Sequence, residues 1–225
     1  MNAADIVDAG GRREIERAIA DVETKTSAEI VCAVATESGR YDRAESVVGL
    51  AVAIIFLAIV DVAVGARAET AWSSGQGIML GVEAAAVAAG FVLGTWLSNT
   101  LHPLRRVFVP AREIEEEVAR AAAHVFGLSS VGMTSGQTGV LVYVSLFERR
   151  VVIIADRSSF EVLGAAGVNA LRDGALEKLR RGDVVDAFIS TVRNVGERLQ
   201  SRLPADAAAN PDEIPNQVLV YPGRP

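Results

Sequence analysis

Three carboxylates are the residues of this 225-residue chain best placed to do chemistry: Glu29, Asp42 and Asp156. Each flanks a short apolar run of strand character. Glu29 precedes residues 30–35, Asp42 follows them, and Asp156 ends the run 151–155. Ligands of α/β sheets gather beyond strand ends, and carboxylate oxygens suit a hard divalent cation such as calcium or magnesium. These acids are the candidate metal ligands, and Asp156 is the candidate catalytic residue. The spacing itself fixes no ligand set, and plainer roles compete. Glu29 takes the solvent face or pairs with an arginine. Asp42 lies near a membrane surface. Asp156 caps the helix that begins around Ser158 and Ser159.

Two further acids, Asp61 and Glu83, each stand alone in a long apolar run. A carboxylate at the bilayer centre costs about 2.5–3.5 kcal/mol on insertion scales, so such an acid is either functional or displaced toward an interface. Both lie nearer the outer ends of their runs, where they are tolerated or meet a cationic group of a partner membrane protein. Gly90 and Gly94 form GxxxG, which lets helix backbones approach closely, within one chain or between copies.

Other chemistries find no support. No Ser, His and Asp spacing suggests a hydrolase, and no nucleophile elbow is present. The glycine-rich stretch 127–138 lacks a P-loop lysine and leads from helix to strand, the wrong order for a phosphate cradle. His124 follows an apolar helix face and reads as packed or solvated; His102, beside Pro103, marks a membrane surface. Cys32, the one cysteine, sits in an apolar strand pattern as a small buried hydrophobe. One cysteine and two histidines make a thiolate–imidazole zinc site improbable. A net charge of −6 argues against non-specific nucleic-acid binding.

The elements that must position these residues are organised around two runs, 47–64 and 77–97, each with a single charge. A helix needs about 20 mostly apolar residues to cross the hydrocarbon core, and neither run carries the polar stripe of a surface helix. They read as a two-span membrane hairpin, with fully buried core helices as the alternative. Trp72 and Trp96 fit interfacial positions. Arg40, Arg43, Arg105, Arg106 and Arg112 flank the spans, against Arg67 alone in the connection, which places both flanks in the cytoplasm. An even number of spans leaves the two polar segments on one side, free to pack together. The N-terminal stretch has no apolar core, so no cleavable signal peptide is expected.

Segment 1–45 reads as an amphipathic helix over 5–23 and then the strand 30–35, whose unbroken apolarity suits burial on both faces. The hairpin occupies 46–98. Segment 105–203 opens with a helix whose first turn holds Pro110 and whose start is rich in glutamate, ending at Gly127. Strands follow at 139–146 and 151–155, antiparallel through a reversal at 147–150 that lacks the Gly or Asn a tight turn prefers. Two more helices run about 160–181, broken near Gly164 and Gly167, and 184–202. Residues 204–225 read as tail, with 217–221 as an edge strand.

The stretch Thr138-Gly139-Val140-Leu141-Val142-Tyr143-Val144-Ser145-Leu146-Phe147-Glu148-Arg149-Arg150-Val151, running on to Ala155-Asp156-Arg157, resembles the TPM-domain family, as does Thr26-Ser27-Ala28-Glu29-Ile30-Val31 before the first strand. Leu203-Pro204 and Asp212-Glu213-Ile214-Pro215-Asn216 look like the close of its bacterial membrane branch. The resemblance covers residues 8–203, with the hairpin as an insertion. It implies a Rossmann-like three-layer α/β/α domain with a small mixed sheet, interrupted by a two-helix transmembrane hairpin, in the bacterial inner membrane with both termini cytoplasmic. It further implies an accessory or binding module acting on other membrane proteins in assembly, repair or modulation. The alternative it implies is a divalent-cation-dependent acid phosphatase. Many members carry a tryptophan around the position of Asn169, and this chain keeps few of the family's acidic loop residues. The bilayer and membrane proteins are thus the expected partners, with a homo-oligomer left open and no cofactor beyond a divalent cation.

Overall fold

The computed structural model describes residues 2–65, 76–100, 109–134, 136–205 and 214–225. It divides into two units, one made of Met1–Gly39 with Ile114–Pro225 and the other of Arg40–Glu113. The two polar segments therefore form one folded body, although the second unit separates them in sequence.

In the first unit, the expected helix 5–23 is two helices, α1 (Ala3–Ile6) and α2 (Ala9–Glu23). Asp8 causes the break: its backbone is extended and its side chain accepts from Gly11 N at 2.8 Å, the arrangement of an N-cap rather than of a helix interior. Strand β1 (Ile30–Ala35) is buried at all six positions, as its unbroken apolarity requires. Strands β2 (Val140–Ser145) and β3 (Arg150–Ala155) pair antiparallel, and β4 (Val218–Tyr221) pairs parallel with β1. With β1 and β2 also parallel, the result is a mixed four-stranded sheet of order β3-β2-β1-β4. The reversal between β2 and β3, lacking Gly or Asn, places Arg149 itself in the left-handed region at φ 50°.

The helix α5 (Ala111–Leu128) starts just after Pro110 and runs one residue past Gly127. Helix α6 (Arg157–Arg181) is kinked at Gly164, whose φ of 63° with ψ of 167° is a combination essentially confined to glycine, and Gly182 closes it in a left-handed cap before α7 (Val184–Leu199). Alternate strand residues (Cys32, Val34, Val142, Val144, Ile153) share one core with the apolar faces of α2, α6 and α7. Residues of the opposite parity, Val31 and Leu141 among them, are equally buried, and on that side Leu128 at the end of α5 lines a cavity of about 310 Å³ together with Val31, Leu219 and Tyr221. Gly139 opens β2 where a Cβ would stand 2.0 Å from the Val131 carbonyl oxygen, so only glycine fits.

The second unit contains α3 (Asp42–Gly65) and α4 (Gln76–Thr100). At 1.5 Å per residue each is roughly 36 Å long, more than the hydrocarbon core. Windows of 18 and 19 residues, Ser46–Ala63 and Leu80–Ser98, have mean hydropathy 2.6 and 1.6 and are long and apolar enough to cross a membrane. Only 17% and 11% of those windows is buried. Leu50, Ile54, Ile59, Val62, Leu80 and Val92 are exposed, which removes the reading as buried core helices. Gly90 and Gly94 make their close approach within the chain: a Cβ on Gly94 would lie 2.9 Å from Gly49 Cα, and one on Gly90 would lie 2.8 Å from Ala53 Cα. Backbone meets backbone there, and a larger residue would force α3 and α4 apart. Asp61 is exposed and Glu83 half-buried. Arg67, Trp72, Arg105, Arg106 and His102 lie outside the described residues, as does the stretch 206–213.

Candidate functional site

A polar cluster lies where β1 and β2 end. Ser145 is the last residue of β2, Glu148 sits in the reversal after it, and Ser38 follows β1 by three residues. Tyr143 is on the same face of β2 as Ser145, two residues earlier. Tyr143, Ser145 and Glu148 have no solvent exposure, and Ser38 has 7%. Ser38 Oγ lies 2.8 Å from Tyr143 Oη and donates to Ser145 Oγ at 2.7 Å; Ser145 Oγ donates in turn to Glu148 Oε2. The other carboxyl oxygen, Oε1, accepts from Ser38 N at 2.8 Å and Gly39 N at 3.3 Å. Burial, opposed by the hydrogen bond to Ser38 and reinforced by the nearby Glu148, holds the Tyr143 phenol above its usual range. The phenol therefore remains a donor to Ser38, and every hydrogen in the chain runs toward the Glu148 carboxyl group.

This end of the sheet is closed by further ties. Leu146 N and Phe147 N donate to the carbonyls of Ala35 and Thr36, and Ala3 N donates to Thr36 Oγ1 at 2.9 Å. Arg224 Nη2 pairs with Glu37 Oε1 at 2.9 Å. The crevice outside the carboxyl ends of parallel strands, where such sheets usually hold a ligand, is thus filled by the protein's own groups. The cluster has the residue types of a nucleophile relay but gives a substrate no access. Its chemistry is that of a clamp.

Asp156 lies at the opposite end. Because β3 runs antiparallel to β2, its carboxyl end faces the amino ends of β1 and β2, so the strand-end argument for Asp156 points away from the ligand crevice. Asp156 N donates to Gly139 O, and its Oδ1 accepts from Arg157 N at 2.7 Å, making it the N-cap of α6. The structure gives Asp156 the capping role, with Arg157 N rather than Ser158 or Ser159 as donor. Glu29 shares that end through Val140 N, which donates to its carbonyl, and its side chain is buried, not solvated. Asp42 belongs to the other unit, and its side chain lies outside the described residues. Among the described residues no three His, Cys, Asp or Glu side chains gather to hold a metal.

Cys32 is buried, and burial, with the Glu23 charge adding to it, pushes its thiol well above the usual range. Such a thiol is an inert part of the core. His124 is exposed on α5. The sequence reading missed Ser38, Tyr143, Ser145 and Glu148. A signal was present: a glutamate in a reversal without Gly or Asn, next to a serine ending an apolar strand, needs some tertiary partner to hold it.

The architecture is that of an α/β protein with a small mixed sheet. It is similar to the solution NMR structure of BA42 protein from the psychrophilic bacterium Bizionia argentinensis, with TM-score 0.56 and 16% identity over 94% of this chain and 93% of that one. At that identity the likeness carries the fold alone. No protein-family model and no curated protein matches the chain.

Proposed function

We propose that this chain is a membrane-anchored accessory or binding module of TPM-domain type, acting on other membrane proteins in their assembly, repair or modulation. In this reading α3 and α4 form a two-span hairpin set into a Rossmann-like three-layer domain, with both termini and that domain in the cytoplasm. The observation that carries it is the exposure of two apolar helices of spanning length, of which only 17% and 11% is buried in protein. Water is a poor solvent for such surfaces and lipid a good one. Arg40 and Arg112 on the flanks support the orientation. The closed carboxyl end of the sheet favours binding over catalysis. The cation-dependent phosphatase reading draws nothing from this geometry, since Asp156 caps a helix at the far end from the crevice.

The test is fractionation followed by capture. The chain should stay with membranes through an alkaline carbonate wash, and phosphatase fusions should be active only when placed between α3 and α4. A pull-down in mild detergent should then enrich integral membrane proteins. Release by carbonate, or active fusions at either terminus, would overturn the anchor and its orientation.

A further inference from the structure

We infer that the cavity on the α5 side of β1 and β4 is a binding site for a small uncharged aromatic molecule, of about two fused rings, that carries a hydroxyl or carbonyl group. The inference concerns the α/β unit alone and goes beyond the reading of the chain as a membrane-anchored module.

The cavity measures about 310 Å³, at the lower end of the range of small-molecule sites, about 300–1,000 Å³. Two strands give it an apolar floor, Val31 from β1 and Leu219 from β4, and Leu128, Ile214 and Pro215 extend that apolar lining. The site is open to entry: Leu128 is 68% exposed, and Leu219 and Tyr221 are half-buried.

The chemistry of the lining selects the ligand. None of the nine described residues that line the cavity carries a formal charge. A charged molecule would lose water there without meeting a counter-charge, which favours a neutral one. Three polar side chains of the lining, Ser130, Gln217 and Tyr221, keep their hydrogen-bonding capacity unspent. The neighbouring Ser129 does not, since its hydroxyl donates to Val125 O at 2.7 Å. Ser130 stands at the N-cap of the short turn Val131–Met133, in a left-handed conformation at φ 58°, yet its side chain makes no capping hydrogen bond. Among the described residues neither the Gln217 amide nor the Tyr221 phenol bonds to the protein. Burial pushes the Tyr221 phenol above its ordinary value, so it stays protonated and able to donate. An apolar cavity with a few convergent, uncommitted polar groups is the usual form of a small-molecule site.

Size and spacing narrow the class further. A cavity of about 150 Å³ takes benzene, and roughly twice that volume takes two fused rings. Gln217 and Tyr221 are four residues apart on one face of an extended segment, about 13 Å at Cα. A two-ring molecule lying over Leu219 therefore brings a polar substituent at its end to one or the other, and the Tyr221 ring offers an aromatic contact.

The experiment titrates the full chain in detergent micelles with 2-naphthol, and separately with 2-naphthoate, which has the same rings but a negative charge. The amide resonances of Val31, Ser130 and Leu219 are the readout, because probe dissolved in the micelle alone leaves them unmoved. 2-Naphthol should shift them saturably, with half-saturation below about 1 mM, and 2-naphthoate should bind about tenfold more weakly. The double variant Gln217→Ala, Tyr221→Phe removes the polar group at each end and should weaken 2-naphthol about tenfold, with circular dichroism confirming that it folds. Leu128→Lys, at an exposed position, supplies the missing counter-charge and should bring 2-naphthoate up to the affinity of 2-naphthol; it keeps the test decisive if the double variant does not fold. Absence of a saturable shift with 2-naphthol would overturn the inference. Equal affinity for the two probes in the unaltered chain would do so as well, since the site would then not select against charge. A folded double variant that binds 2-naphthol as well as the unaltered chain, or a Leu128→Lys variant with unchanged preference, would also overturn it. Failure of the carbonate test would leave all these readouts intact.

Discussion

Replacing Glu148 by alanine should be among the most damaging single changes to the α/β unit that touch no apolar contact. The carboxyl group accepts Ser38 N, Gly39 N and Ser145 Oγ in a place with no solvent exposure. Alanine leaves two backbone N–H groups and a serine hydroxyl buried without an acceptor. Each orphaned donor costs about 1–3 kcal/mol, less where a water enters the space left behind. Taking the low end for each gives about 3 kcal/mol, or a fall in Tm of about 6–12 °C for a unit of this size. Glu148→Gln retains one carbonyl oxygen for the two backbone donors and loses the acceptor for Ser145, so it should cost less than the alanine change. The assay is chemical unfolding of the full chain in detergent, with amide exchange at Ser38 and Gly39 as the local probe. Both amides should exchange faster in Glu148→Ala, even under strongly native conditions. If alanine lowers stability by less than about 0.5 kcal/mol, the cluster is no clamp and the ordering of this end of the sheet has another source.

Three other changes follow from the same geometry. Gly94→Leu should separate α3 from α4, because the new Cβ would stand 2.9 Å from Gly49 Cα; a loss of about 1–3 kcal/mol of hairpin stability should be read as a mobility change on mild detergent gels. Asp156→Ala should cost about 0.5–2 kcal/mol through the lost N-cap of α6, whereas Asp156→Asn should be nearly neutral; a phosphomonoester-hydrolysis rate that fell with Asp156→Ala but not with a surface control would instead restore the catalytic reading. Cys32 should resist maleimide in the folded chain and react only on unfolding, since burial both blocks it and disfavours its thiolate.

What the letters disclose is set by whether the physics is local. The continuous apolarity of residues 30–35 announced a strand covered on both faces, and Gly164 announced the kink that its φ of 63° makes. The length of α3 and α4 was equally plain, because spanning a bilayer is a property of one segment at a time. Asp8 was misread because an acid in an amphipathic pattern looks the same whether it faces solvent or caps. The end at which Asp156 lies could not be decided before the direction of β3 relative to β1 was known. The reversal hinted that Glu148 needs a partner, but which one was hidden for a related reason: Ser38 and Gly39 are 110 and 109 residues away, and no pattern in either stretch refers to the other.

That separation gives the clamp a purpose beyond local order. The parallel neighbours β1 and β2 need a crossover of only a dozen or so residues, yet here the second unit lies between them in sequence, and Ser38 and Glu148 are 110 positions apart. Treated as a flexible loop, that is about three doublings of length, an added closure cost of roughly 2 kcal/mol. The antiparallel packing of α3 on α4, through Gly49, Gly90 and Gly94, returns the chain toward its start and reduces that cost. The three acceptor contacts of Glu148 fall on Ser38 and Gly39, where the chain leaves the sheet, and on Ser145 beside it, and they are worth about as much as the closure they oppose. A buried carboxyl at the mouth of a long crossover is thus what one would look for in a sheet that must stay paired while a large segment departs from the end of a central strand. The same logic predicts that shortening the crossover, by replacing residues 40–109 with a short flexible linker, should make Glu148→Ala less harmful than it is in the full chain. Equal losses of stability in the two backgrounds would mean that the clamp serves the reversal between β2 and β3 alone.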